Sequence, residues 1–92
     1  MSLTWPNKDP DEVLDYQVNW ADRLGTDTIS TSEWIVPPGI TKDSDSVAPD
    51  LRSTTIWLSG GTLNVSYEFV NRIVTAGGRT MDQSVKLKIK AK

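Results

Sequence analysis

The sequence predicts an all-β chain folded as an antiparallel β-sandwich of about seven strands, and three observations carry that reading. Apolar and polar residues alternate with period two over long stretches, above all residues 54–89. Turn signals punctuate the alternation at Gly25, Pro37-Pro38-Gly39, Gly60-Gly61 and Gly77-Gly78. The 92 residues suffice for one domain, over residues 1–92, and the absence of cysteine leaves apolar burial rather than disulfides to hold it.

Leu3-Thr4-Trp5 stands before Pro6, which cannot donate to a ladder, so these residues read as a short edge strand anchored by Trp5 near a free edge. Asp9-Pro10-Asp11-Glu12 carries a cap residue, a proline at the first helical position and a glutamate three residues after the cap. A helix from there to Leu24, stopped by Gly25, would put Gln17 inside an over-wide apolar arc. The strand reading is cleaner: Leu14, Tyr16, Val18 and Trp20 point one way and Asp15, Gln17 and Asn19 the other, after one short helical turn at residues 10–13.

Residues 28–36 are rich in β-branched side chains, with Trp34 and Val36 on one face and Ile29 out of step, which predicts a bulge at residues 30–32. Residues 40–53 are polar, with Ile40, Val47 and Leu51 marking short or irregular edge strands. Residues 54–89 read as three strands of one antiparallel sheet. Ile56 and Leu58 face inward in the first, and Val65, Tyr67, Phe69 and Ile73 in the second. Met81, Val85, Leu87 and Ile89 face inward in the third. Ala76-Gly77-Gly78-Arg79 closes the last two into a hairpin.

Composition excludes most chemistry. With neither histidine nor cysteine, the chain lacks the commonest general base, thiolate nucleophiles and the usual zinc ligands. Ten basic against twelve acidic residues, a net charge of -2, give no broad field to attract nucleic acid. No signal peptide and no apolar run of membrane-spanning length is read. Asp43-Ser44-Asp45 with Asp50 offers carboxylates to calcium, but lacks the glycine and bidentate glutamate of an EF-hand and reads as a solvated acidic loop. Asp11, Glu12 and Asp15 are explained by capping, and Ser84 with Lys86 by an outward strand face. No catalytic residue, metal ligand or cofactor is expected.

The tryptophans are the informative residues. Trp20 and Trp34 fall on apolar parity and, with Tyr67 and Phe69, are expected in the core. Trp57 has the opposite parity to Ile56 and Leu58 and is expected to face outward, where large aromatics favour interfaces.

Two resemblances follow. Tyr67 after the Gly60-Gly61 corner, with Trp20 on an early strand, resembles the immunoglobulin and fibronectin type III class of sandwich, in which such a tyrosine bonds upstream backbone. Asp9-Pro10-Asp11-Glu12-Val13-Leu14-Asp15-Tyr16 with Trp20, Asp27-Thr28-Ile29 with Trp34, Trp57-Leu58-Ser59-Gly60-Gly61, Asn71 with Ile73, and Gly78-Arg79-Thr80 with Asp82 together resemble small phage and prophage virion proteins of the fibre-to-tail adaptor type. That resemblance implies an Ig-like structural protein of the phage virion, made in the bacterial cytoplasm and joined to other tail or fibre proteins in an oligomeric particle. Trp57, Trp5, Arg72 and Arg79 are the expected partner contacts, with no nucleic acid or membrane involved. The alternative is a carbohydrate-binding or host-surface-binding Ig-like module, its exposed aromatics stacking on sugar rings.

Overall fold

The computed structural model describes residues 2–92. Its elements are β1 (Ser2–Thr4), β2 (Leu14–Asn19), α1 (Ala21–Leu24), β3 (Ile29–Ile35), β4 (Ile40–Val47), β5 (Ser53–Gly60), β6 (Ser66–Thr75) and β7 (Thr80–Lys88). One sheet has the order β1-β7-β6-β3 and the other β2-β5-β4. These are the B-E-D and G-F-C orders of an immunoglobulin-type sandwich, with the first strand moved across to run parallel beside β7.

The period-two pattern places the core where the sequence put it. Val18, Ile56, Leu58, Phe69, Ile73, Val85 and Leu87 are buried from both sheets, and Ile89 continues the inward row past the end of β7. Trp20, Trp34 and Tyr67 join them. Val65 has inward parity but lies before β6 at the end of the sandwich, where it remains exposed. The predicted bulge is present as a register shift between Ile29 and Thr31.

Four expectations need correction. Residues 54–89 do not form one sheet: β5 belongs to one sheet and the β6–β7 hairpin to the other, because residues 60–65 carry the chain across the sandwich. Gly61 makes that crossing possible, at φ 97° and so close to Ile89 that a Cβ would fall 2.8 Å from its side chain. Residues 10–13 form a turn closed by Glu12 N donating to Asp9 O (3.1 Å), and the helix is displaced to α1. The capping pair still acts there: Glu12 Oε1 accepts from Asp9 N and Asp9 Oδ1 from Asp11 N. Polar residues 40–47 form one eight-residue edge strand, not short pieces; it is held by β5, is irregular as expected at the register shift between Lys42 and Ser44, and buries only Ile40 fully.

The fourth concerns Trp5, which is 7 % exposed rather than open at an edge. The segment after β1 continues along β7, with Trp5 N donating to Lys86 O and Lys8 N to Lys88 O. That path aims the indole inward, stacked on Tyr16 with ring centroids 4.7 Å apart and packed against Trp34 and Phe69. Trp5 Nε1 donates to Gln17 O at 3.1 Å, so this side chain bridges the flank between β1 and β2.

Candidate functional site

Trp57 lies at the middle of β5, the central strand of the three-stranded sheet, and is 42 % exposed. Its neighbours follow from register. Trp20 N donates to Arg52 O, which makes the pairs Leu14–Leu58, Tyr16–Ile56 and Val18–Thr54 the hydrogen-bonded ones. Asp15 therefore faces Trp57 in a non-hydrogen-bonded pair, where opposing Cα atoms come to about 4.5 Å and side chains approach most closely. On the other side Ser44 of β4 is paired with Trp57. Two residues along β5, the Ser59 hydroxyl donates to Asp43 Oδ1 at 3.0 Å, and two residues the other way Thr55 accepts from Gln17 Nε2 at 3.4 Å. Exposed Val13 shares the outward parity of Asp15. The face is thus an exposed indole with one aliphatic neighbour, ringed by hydroxyls, an amide and two carboxylates.

The other expected contact residues are differently employed. Arg72, on β6, forms a bidentate pair with Asp82 directly across on β7 (2.9 and 3.1 Å). Its pairing raises the arginine pKa and lowers that of Asp82. Arg79 is turned back onto the protein, donating to both Leu24 O (3.0 Å) and Asp27 Oδ2 (3.0 and 3.2 Å). Asp27 also accepts from Thr28 N and Gly77 N. The Thr75 hydroxyl first, then these amides and Arg79, hold the Asp27 carboxyl far below the usual carboxylate range. Arg79 and Asp27 therefore tie the β6–β7 hairpin to the loop after α1, a structural task.

Trp20 Nε1 donates to Asn71 Oδ1 at 2.9 Å, and the same oxygen accepts from the Thr54 hydroxyl at 2.7 Å. Asn71 Nδ2 donates to Ser32 Oγ and Glu33 O at 3.0 and 3.1 Å. A fully buried amide thus uses all four of its hydrogen-bonding positions and joins the two sheets. The Tyr67 hydroxyl accepts from Thr62 N at 2.9 Å and donates to Gly39 O at 3.4 Å, which is the upstream backbone bond of the immunoglobulin corner tyrosine. Trp34 occupies β3, the strand that carries the central tryptophan in that class.

Sequence reasoning missed the buried polar residues Lys8, Thr54, Asn71 and Thr75. Asn71 sits on inward parity between Phe69 and Ile73, a signal available in the pattern. Lys8 is 0 % exposed, its ammonium donating to Gly60 O (2.7 Å) and Asp9 O (2.9 Å). Burial lowers its pKa, opposed by Glu12 and Asp9. Nothing in the local sequence marks it.

The carboxylates weighed for calcium do not converge. Asp43 is held by Ser59, Asp45 by Lys42 at 2.9 Å, and Asp50 by Arg52 N. Among the described residues no group of three or more metal-ligating side chains gathers. An open groove of about 420 Å³ runs along the β1–β2 flank, lined by Trp5, Pro6, Asn7, Leu14, Asp15, Tyr16, Gln17 and Lys92. Burial there pushes the Tyr16 phenol up to about 12. Asp15 is where this groove meets the Trp57 face.

A search of curated proteins finds no match to this chain. The family of the podophage GP4 fiber-tail adaptor protein gp77 matches it over residues 8–88, from the buried Lys8 to the last residue of β7, and the chain belongs to that family.

Proposed function

We propose that this member of the podophage fiber-tail adaptor family links tail and fibre components of the virion through the outer face of its β2-β5-β4 sheet, with Trp57 as the central contact. One observation carries the reading: a large aromatic stands outward on the middle strand of a sheet whose other outward side chains are almost all polar. Trp57 contributes little to its own core, and an aromatic anchor inside a polar rim is the anatomy of an interface hot spot. Ile35 and Val74, exposed near the Arg72–Asp82 pair on the opposite sheet, offer a second face, as a linker needs. Arg72 belongs to that second face, while Arg79 and Trp5 serve the fold.

The test is co-purification with the tail and fibre proteins of the same phage. Trp57→Ala should leave the unfolding midpoint nearly unchanged and abolish capture of at least one of them. Capture at the wild-type level would refute the role of Trp57, and unfolding of the variant would make it a core residue. A saccharide that shifts Trp57 fluorescence in the free chain would support the sugar-stacking alternative instead.

A further inference from the structure

The Trp57 face has a charge character that specifies what it meets. Asp15 is exposed, opposite Trp57 in a closely spaced pair, and Asp43 is fixed by Ser59, about 7 Å along β5 from Trp57. No arginine or lysine occupies an outward position of β2 or β5, and Lys42 of β4 is spent on Asp45. Two lysines lie near these carboxylates and are engaged elsewhere: Lys92, in the groove beside Asp15, pairs with Glu12 at 3.1 Å, and Lys8, in the field of Asp43, donates to Gly60 O and Asp9 O. An indole face flanked by two carboxylates is complementary to a planar cation. Guanidinium fits best, since it stacks on an aromatic ring and presents a fork of donors to a carboxylate, whereas ammonium is a compact, strongly hydrated charge. The molecule already pairs these groups once, with the Arg23 guanidinium 4.8 Å over the Trp20 ring.

We infer that the partner surface seated on Trp57 is basic, an arginine-bearing segment of a neighbouring virion protein whose guanidinium stacks on the indole and bonds Asp15, with Asp43 holding a second cation of the same segment. The inference rests on the docking reading above and names the chemistry of its partner. Alternate residues of an extended segment lie about 7 Å apart on one side, which matches the step from Trp57 to Ser59 and its bound Asp43.

The probe is an eight-residue peptide alternating arginine and threonine, with lysine and glutamate counterparts, titrated into the ¹⁵N-labelled full chain. The indole resonances are read, and that of Trp57 is identified by its loss in Trp57→Phe. The arginine peptide should move the Trp57 resonance and leave those of buried Trp5, Trp20 and Trp34 in place. The lysine peptide should bind more weakly and the glutamate peptide not at all. The Asp15→Asn, Asp43→Asn double variant, its three buried tryptophan resonances showing an intact fold, should lose about tenfold in affinity, and added salt should weaken binding of the unaltered chain. An unmoved Trp57 resonance, an equal response to the glutamate peptide, or unchanged affinity in the double variant would overturn the inference. If Trp57→Ala also blocks capture of tail proteins in that case, the docking reading stands and only the cationic partner falls.

Discussion

Replacing Asn71 with alanine removes the one side chain that ties together Trp20, Thr54, Ser32 and Glu33. Two of the four bonds, those from Trp20 Nε1 and the Thr54 hydroxyl, are fully buried, so their donors have no water to turn to. Each stranded buried donor costs about 1–3 kcal/mol. The other two partners are partly accessible and can be hydrated. With about 1 kcal/mol for the small void left by the lost amide, the sum is about 3–7 kcal/mol, a large share of the roughly 5–15 kcal/mol that holds a domain together. Urea unfolding followed by tryptophan fluorescence measures it. Thr54→Val removes one of the two stranded donors in advance, so the Asn71→Ala, Thr54→Val double variant should be more stable than the sum of the singles by about 1–3 kcal/mol. A cost below about 1 kcal/mol for Asn71→Ala, or strict additivity in the double variant, would refute the view that this amide locks the two sheets.

Two further outcomes follow from the same geometry. Tyr67→Phe removes the hydroxyl that accepts from Thr62 N and donates to Gly39 O, and should lower stability by about 1–2 kcal/mol in the same urea assay without changing the strand content seen by circular dichroism. Asp27 has its carboxyl held below its unfolded value, so its contribution is fully present above the unfolded pKa of about 3.9 and is lost as pH falls toward the folded one. Thermal melts from pH 5 downward should show a steeper loss for the unaltered chain than for Asp27→Asn, and parallel curves would remove Asp27 from the acid response.

What the sequence disclosed is what side-chain alternation encodes. Inward rows such as Tyr16–Val18 and Val85–Leu87, the bulge beside Ile29 and the outward step of Trp57 are all fixed by a strand's period of two, and they stand in the structure as expected. Which sheet a strand joins is a tertiary matter. The Gly60-Gly61 signal reads equally as a hairpin turn or as a crossing between sheets, and only packing decided for the crossing. Trp5 was misplaced for a similar reason: a three-residue strand before a proline looks like a frayed edge, whereas its parallel pairing with β7 turns the indole onto Tyr16 and Phe69. Polar β4 forms a continuous eight-residue strand, bulged between Lys42 and Ser44, because β5 supplies its hydrogen bonds despite its own poor strand-forming composition. Arg72 and Arg79 illustrate a further gap, since no local pattern tells an arginine free for a partner from one bound to Asp82 or Asp27.

Hydroxyl-radical footprinting of the free chain and of the assembled phage particle, read by mass spectrometry at each tryptophan, tests the central claim most directly. In the free chain Trp57 should oxidise far faster than the buried Trp5, Trp20 and Trp34. In the particle its rate should fall to that of the buried three, because a partner covers it. Oxidation of Trp57 at the same rate in both states would show its face open to solvent in the virion and contradict the account.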